Sequence, residues 1–207
     1  MPTGVHLRDA RQQLFDAAER VLLRTGPNGL TSRAVTDEAA CSKGVLHRHF
    51  ADFDTFLAEL VLDRAAQVEA EARALREAVG TATVTDNLTG ALTTLFGPVV
   101  VAIIPLITFR DELRARLRQA LPGDGAGSGG GGVAILSHVT AAVCDYLTEE
   151  RAAGRIAADA DVDSLTLSLV GGAHLLFADR DPGPPTEATV GKLVTTALAD
   201  VLRRRPS

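Results

Sequence analysis

Two short segments decide the fold of this 207-residue chain: Thr31-Ser32-Arg33-Ala34-Val35 and Ser42-Lys43-Gly44-Val45-Leu46-His47-Arg48-His49-Phe50. Thr31 and Ser42 stand where N-caps are needed, because a hydroxyl oxygen can accept a hydrogen bond from the unpaired N–H groups of a first helical turn. Val35 belongs to an apolar face of the first segment, and Leu46 and Phe50 share an apolar face of the second. The pattern predicts two short helices joined by a tight bend, the helix-turn-helix arrangement in which the second helix enters the major groove of DNA.

The rest of the chain also predicts helices. Apolar residues recur at helical spacing over residues 7–25, and Gly26-Pro27 then ends the helix. Asp52 is the predicted N-cap of a long helix from Phe53 to about Val79. Further helices are predicted over residues 84–96, 99–121 with a bend or break at Pro105, 133–153, 161–179 and 186–204. Residues 123–132 hold seven glycines, which predicts a flexible connection and not a phosphate loop, since no Gly-Lys-Ser/Thr follows.

The composition favours an all-α fold. Hydrophobic residues are 46%, charged residues 23% and aromatic residues 4%, with no Trp, a mix that argues against disorder and for helix over sheet. No apolar run approaches the twenty residues of a membrane span, and no signal peptide opens the chain, so we expect a cytoplasmic protein with no membrane partner. The two cysteines lie 103 positions apart and predict neither a disulfide framework nor a metal site, and no cofactor is expected.

The charge is unevenly distributed along the chain. The net charge is −5 at pH 7, yet residues 1–50 carry seven Lys and Arg against five Asp and Glu. A small basic module can bind phosphate locally, because charges beyond a Debye length of about 8 Å are screened. Chance scatter of surface charge is the alternative that this arithmetic leaves open.

The second short helix carries groups that suit a DNA surface. Lys43 is the only lysine in the first 191 residues, and it stands at the start of the helix, where a phosphate is best held. Gly44 lets the backbone approach a duplex closely. His47 and His49 flank Arg48, and these polar side chains can reach phosphates or base edges.

Residues 14–57 resemble the DNA-binding region of the TetR family of transcriptional regulators, above all in residues 30–35 and 39–50 and in Phe56-Leu57. The resemblance implies about nine helices, with a three-helix helix-turn-helix DNA-binding domain at 1–51 and a larger helical ligand-binding and dimerisation domain at 52–207. It also implies a homodimer that binds a palindromic double-stranded DNA operator, commonly as a repressor, and that a small apolar effector releases. The implied DNA-binding residues are Thr31, Arg33, Ser42, Lys43, Gly44, Val45, His47, Arg48 and His49, with Leu46 and Phe50 as buried supports.

Three departures from the family pattern bear on DNA binding. The turn glycine usual in the family is Ala40, which costs roughly 1 kcal/mol if the backbone there needs a positive φ. His47 and His49 occupy positions that are commonly tyrosine, and because imidazole changes its charge near neutral pH we expect operator affinity to weaken from about pH 6 to 8. Where the family often has a lysine after the second helix, this chain has Ala51-Asp52-Phe53-Asp54, and one backbone anchor is lost.

The helix predicted over residues 161–179 has two apolar faces about 200° apart at 100° per residue. A surface helix of a monomer needs only one such face, so we expect a four-helix dimer interface with the last helix and a tight contact at Gly172. A helix buried inside a monomer is the alternative. The predicted dimer residues are Leu165, Leu169, Gly172, Leu176, Val190, Val194, Ala197 and Val201.

Large apolar and histidine side chains in the middle helices are candidates for an effector pocket. Ordinary core packing is the competing interpretation for the aromatic residues, whereas a buried imidazole needs a polar partner. The predicted effector-binding residues are Phe96, Ile103, Ile107, Phe109, His138, Tyr146 and His174.

The sequence gives less support to an enzymatic function or to small-molecule binding without DNA binding. No His-Glu-x-x-His, Gly-x-Ser-x-Gly, Cys-x-x-Cys or dinucleotide fingerprint occurs, so we do not expect an enzyme. The alternative function is a dimeric small-molecule-binding protein of the same fold with weak or no specific DNA binding, which Ala40 and the acidic Asp52 and Asp54 favour.

Overall fold

Ten α-helices make up most of the described residues of the computed structural model, which are residues 3–120, 130–178 and 183–202. Their bounds are α1 Thr3–Gly29, α2 Ser32–Glu38, α3 Lys43–His49, α4 Phe53–Glu77, α5 Val84–Leu95, α6 Pro98–Thr108, α7 Asp111–Ala120, α8 Gly130–Ala152, α9 Val162–Ala178 and α10 Glu187–Leu198. The all-α prediction is confirmed, with ten helices in the described ranges instead of about nine. The glycine-rich connection predicted over 123–132 falls mostly outside these ranges.

Local sequence signals set several helix ends as predicted. Gly26 has φ 73° and ψ −178°, a positive φ that favours glycine, and it breaks α1 one turn before the helix ends. Thr31 and Thr186 accept through Oγ1 from the N–H three residues later, at 3.1 and 3.3 Å. Asp52 and Asp161 do the same through Oδ1 at 2.6 and 3.1 Å. The predicted caps of α2 and α4 are therefore confirmed, and Asp161 and Thr186 cap α9 and α10 in the same way.

The prediction of a helix over residues 99–121 with a bend or break at Pro105 is wrong in the position of the break. α6 runs through Pro105 and ends at Thr108, and α7 starts at Asp111. α6 is apolar along almost its whole length, whereas α7 is polar except for a buried stripe of Leu113 and Leu117. The break therefore lies where the apolar segment gives way to the polar one, and not at the proline.

The chain divides into two compact units. Unit 1 comprises Met1–Arg64 and Ala102–Val133, and unit 2 comprises Ala65–Val101 and Ala134–Ser207. These units differ from the expected 1–51 and 52–207, because α7 and most of α6 belong with the helix-turn-helix. In unit 1, α2 packs against both α1 and α3.

Three helices pack together in unit 2, where α10 contacts both α5 and α9. A Cβ added at Gly172 of α9 would lie 2.8 Å from Cδ1 of Leu193 of α10. The tight contact expected at Gly172 therefore lies inside the protomer. In the described residues, no single helix is long and apolar enough to cross a membrane, although α5 and α6, bent by 50°, reach that length and composition together.

A buried polar network joins α8 to the loops of unit 2. Glu150 is fully buried, and its Oε1 accepts from the Gly80 N–H at 3.2 Å while its Oε2 lies 3.3 Å from Nε of Arg155. The hydroxyl of Tyr146 accepts from the amide of Asn87 at 3.0 Å. Burial first, and then the hydrogen bond to Glu150, raise the pKa of Tyr146 well above its ordinary value.

Candidate nucleic-acid interface

The turn between α2 and α3 closes with a Schellman arrangement. The Cys41 N–H donates to the Thr36 carbonyl at 3.0 Å and the Ala40 N–H donates to the Asp37 carbonyl at 3.2 Å. Ala40 has φ 51°, the left-handed conformation that glycine adopts without steric cost. The turn geometry therefore does need the positive φ that makes alanine unfavourable here.

The outer face of α3 is free for contact. Ser42, Lys43, Gly44, His47 and Arg48 are exposed, and the inward side of the helix is buried. Among the described residues, no ion pair engages the cations at positions 43 and 48. The helix therefore presents to solvent two positive charges, Lys43 and Arg48, that form no ion pair in the described part of the chain, together with the polar side chains of Ser42 and His47.

The remaining predicted DNA-binding residues lie close to this face or at its edge. Thr31 and Arg33 at the start of α2 are exposed, and Arg33 pairs with Asp37 at 3.6 Å. Val45 and His49 are half-buried. Backbone dihedrals place Ser42 at the N-cap of α3, but its hydroxyl makes no capping hydrogen bond, contrary to the sequence prediction. The expected pH dependence of DNA binding stays a prediction.

Buried side chains fix the orientation of α3. Leu46 is fully buried and Phe50 is 2% exposed, where the sequence predicts supports. The ring of Phe50 meets Phe56 of α4 edge-on at 5.0 Å and Phe15 of α1 at 5.8 Å between centroids. Such aromatic contacts add specific geometry to apolar burial, so α3 is held against both α1 and α4.

Arg11 is a supporting residue that the sequence analysis missed. Its guanidinium lies 4.6 Å from the centroid of the Phe50 ring, and its Nη1 donates to the His49 carbonyl at 3.4 Å. It also forms an ion pair with Glu59 of α4. A sequence shows no sign of this role, because the partners lie 38 to 48 positions away.

The acidic residues after α3 are paired with arginines of unit 1. Nη2 of Arg116 lies 3.0 Å from Oδ2 of Asp52, and its Nη1 donates to Oγ1 of Thr55 at 2.7 Å. Nη1 of Arg110 lies 3.9 Å from Oδ1 of Asp54. We call Asp52 and Asp54 the acidic corner. Arg116 and Arg110 are the arginines that pair with it.

A second acidic position in the helix-turn-helix is also neutralised. Glu38 at the end of α2 pairs with Arg20 at 2.8 Å and with Arg24 at 2.8 Å. The hydrogen bonds from Arg20 and then Arg24 hold the pKa of Glu38 below its ordinary value. The carboxylates nearest the reading helix are thus largely compensated within unit 1.

Residues 14–60 match the family described as bacterial regulatory proteins, tetR family. This match spans α2, the turn and α3, and it ends within α4. The helix-turn-helix segment of this chain is therefore similar to the DNA-binding region of the TetR family. No curated protein sequence matches the chain.

Solved structures show that the TetR-family likeness extends to the whole fold. A TetR-family regulator from Agrobacterium tumefaciens is 12% identical, with 95% of this chain and 100% of that chain covered and a TM-score of 0.70. The fatty acid degradation regulator FadR from Bacillus halodurans is 16% identical, covering 95% and 97%, with a TM-score of 0.66. FadR from Bacillus subtilis in complex with stearoyl-CoA is 16% identical, covering 91% and 97%, with a TM-score of 0.62.

The predicted effector residues divide between the two units. In unit 2, Phe96 is fully buried and lies 6.2 Å from the half-buried ring of His174, while His138 is half-buried elsewhere on α8. Tyr146 is also buried, but its hydroxyl is bonded within the Glu150 network. In unit 1, Ile103 and Ile107 are buried, whereas Phe109 is 83% exposed. Phe109 follows the last residue of α6 and points to solvent, so its assignment to an interior pocket is wrong.

The predicted dimer residues are mostly covered by the protomer itself. Leu169, Val190 and Val194 are fully buried where α9 and α10 pack, so they have no surface to offer a partner. The other predicted residues Leu165, Gly172, Leu176, Ala197 and Val201 are half-buried. The apolar surface that α9 does expose consists of Leu167, at 74%, and Leu175, at 72%, with exposed Gly171 between them.

Proposed function

We propose that this protein is a ligand-responsive TetR-family transcriptional regulator that binds a palindromic operator as a homodimer and is released by a small apolar effector. The proposal rests on the outer face of α3, where Lys43 and Arg48 are exposed and form no ion pair with the described residues, while Leu46 and Phe50 anchor the opposite side. Such a helix can enter the major groove with its cations on phosphates or base edges. The role is regulatory and not enzymatic, and it places the protein in the cytoplasm with its DNA.

Binding to a duplex selected from a random library tests the DNA-binding part. We expect Lys43→Ala and Arg48→Ala each to weaken binding by roughly tenfold, and Lys43→Ala to reduce the salt slope by about one. Arg73→Ala is the matched control, because Arg73 is an exposed arginine of α4 outside the helix-turn-helix. Unchanged binding in both α3 variants would remove α3 from the interface.

The homodimer is proposed through the exposed stripe of α9, formed by Leu167, Gly171 and Leu175. These residues recur every four positions, so they lie on one side of the helix, and large exposed leucines mark interaction surfaces. A two-fold dimer also supplies two reading helices for half-sites about 34 Å apart. Leu167→Glu should give a monomer in sedimentation, whereas Leu23→Glu, at a leucine of α1 that is 41% exposed, should leave the dimer intact.

The effector site is proposed beside His174 in unit 2. Nδ1 of His174 is buried and has no hydrogen-bond partner in the described part of the chain, and Phe96 and Phe177 stack nearby with centroids 6.5 Å apart. Apolar walls with one unsatisfied polar atom suit an apolar molecule that carries a single hydrogen-bonding group. A panel that includes stearoyl-CoA, free stearate and CoA alone, measured by calorimetry on wild type and His174→Ala, tests this site.

The selection of a duplex and the calorimetry panel together also test the alternative function. A protein that binds an apolar molecule yet selects no duplex from the library is a dimeric small-molecule-binding protein of this fold. The left-handed Ala40 favours that alternative, because it strains the turn that presents α3.

A further inference from the structure

We propose that Arg116 of α7 and Arg110, the residue just before α7, are positioning residues for DNA binding. Arg116 holds Asp52, and Arg110 holds Asp54, so that the acidic corner beside α3 does not oppose a DNA phosphate. This role rests on the proposed function, and it assigns a DNA-binding task to a helix that lies about sixty positions beyond the helix-turn-helix in the chain.

The acidic corner, Asp52 and Asp54, lies close to α3 along the chain. Asp52 follows His49 by three residues, and three residues of extended chain span at most about 11 Å. That distance is close to the Debye length of about 8 Å, so an unpaired carboxylate there would act on the same phosphates as the cations of α3. The side chains of Asp52 and Asp54 are 50% and 41% exposed, which leaves their charge directed toward solvent.

The environment of Asp52 favours its charged form. The hydrogen bonds from the N–H and hydroxyl of Thr55, and then the contact with Arg116, lower the pKa of Asp52. The carboxylate of Asp52 is also the N-cap of α4, which fixes its position at the start of that helix. Arg116 is the cation that lies against this negative charge.

Both arginines also donate hydrogen bonds to groups other than the carboxylates of the acidic corner. Arg116 also bonds the Thr55 hydroxyl, and Nη2 of Arg110 donates to the Leu30 carbonyl at 3.3 Å. Leu30 directly precedes Thr31, the N-cap of α2, so Arg110 connects the start of α2 to the first turn of α4. The buried Leu113 and Leu117 anchor α7 on its other side.

Arg114 of α7 shows that this arrangement is specific to Arg110 and Arg116. It pairs with Asp111 of its own helix and donates to the Thr108 carbonyl at 2.7 Å. A mutation of Arg114 therefore removes the same positive charge and leaves the contacts of Asp52 and Asp54 in place. Arg114→Gln is the matched control.

A double-mutant cycle tests the proposal with a fluorescent duplex that the wild-type protein has selected from a random library. We expect Arg116→Gln to weaken binding by about tenfold and Asp52→Asn alone to change it by less than about threefold. The double variant should return to within about threefold of wild type. Asparagine keeps the N-cap acceptor, so Asp52→Asn removes the charge and leaves the cap of α4.

Thermal unfolding of the same four proteins separates positioning from a general loss of structure. The double variant still lacks the bond between Arg116 and Thr55, so its midpoint should stay lowered while its DNA affinity recovers. The proposal is overturned if affinity follows the midpoint, if the double variant binds as weakly as Arg116→Gln, or if Arg114→Gln weakens binding equally. The same double-mutant cycle with Arg110→Gln and Asp54→Asn tests the second ion pair, and the same pattern of affinities is expected.

Failure of the inference can be told from failure of the proposed function. If the wild-type protein selects no duplex at all, the regulator proposal fails and this inference fails with it. If a duplex is selected and lost in Lys43→Ala, but the cycle gives one of the overturning patterns, only the role of α7 is wrong.

Discussion

The guanidinium of Arg11 lies over the ring of Phe50, 4.6 Å from its centroid. Phe50 ends α3, and Arg11 comes from α1, so this contact fixes the last turn of the reading helix to the first helix of the chain. The same side chain donates to the His49 carbonyl at 3.4 Å, one of the carbonyls at the end of α3. Arg11 thus contacts both the Phe50 ring and the His49 carbonyl at the end of α3.

Arg11→Gln should destabilise the protein by about 1 kcal/mol, because a partly exposed cation–π contact contributes about that much. DNA binding should weaken by about threefold as the end of α3 loosens. Arg11→Lys keeps the charge but loses the planar fork, and we expect it to fall between wild type and Arg11→Gln. Urea unfolding and anisotropy titration measure both effects, and a DNA affinity unchanged in Arg11→Gln would contradict this support role.

Ala40→Gly should stabilise the protein by about 1 kcal/mol. The positive φ of residue 40 places an alanine Cβ in steric conflict, and glycine removes it. Ala39 is the matched control, since it has φ −76° at the C-cap of α2 and gains nothing from glycine. Urea unfolding of Ala40→Gly and Ala39→Gly should therefore shift in opposite directions, and a destabilised Ala40→Gly would show that the turn adopts another conformation.

Gly172→Ala should destabilise the protein by about 1 to 2 kcal/mol. Its Cβ would meet Cδ1 of Leu193 at 2.8 Å, so either Leu193 or α10 must shift. Gly90 of α5 has nothing within 4 Å of an added Cβ, and Gly90→Ala should stabilise by up to about 1 kcal/mol through helix propensity. Thermal unfolding compares the two, and a neutral Gly172→Ala would mean that the Leu193 side chain moves aside without cost.

Tyr146 should resist ionisation in the folded protein. Burial and the hydrogen bond to Glu150 raise its pKa, so the tyrosinate band at 295 nm should stay absent near pH 10, where an ordinary tyrosine is about half ionised. The chain has one tyrosine and no tryptophan, so the band reports this residue alone.

The same shift links Tyr146 to stability. The unfolded chain loses the tyrosine proton near pH 10 while the folded protein keeps it, so the free energy of unfolding should fall as pH rises above about 10. The urea-denatured protein is the control for the band, and Tyr146→Phe should remove this part of the pH dependence. A folded protein that titrates with the denatured one would mean that Tyr146 is accessible to water.

The helix-turn-helix could be predicted because its signals are local. Thr31 caps α2 through a hydrogen bond three residues away, and Leu46 and Phe50 reach the core because they share one face of one short helix. Nothing distant is needed to place these residues. The turn at Ala40 could also be suspected from the sequence, but only the backbone angle shows that the left-handed conformation is present.

The predicted dimer residues stay a prediction, although several of them are buried within the protomer, because α9 has two apolar faces of similar character. Periodicity finds both faces and cannot say which of their side chains the protomer covers. The structure buries Leu169, Val170 and Phe177 and leaves Leu167 and Leu175 exposed.

The sequence by itself determined most of the helices, the caps at Thr31 and Asp52 and the exposed reading face of α3, since each depends on residues within one or two turns. Only the tertiary structure decided that Arg116 meets Asp52 and that Gly172 meets Leu193, because these pairs lie 64 and 21 positions apart and depend on how whole helices pack. A helix pattern records which side of a segment prefers burial, but the partner on that side is chosen by the packing of the rest of the chain.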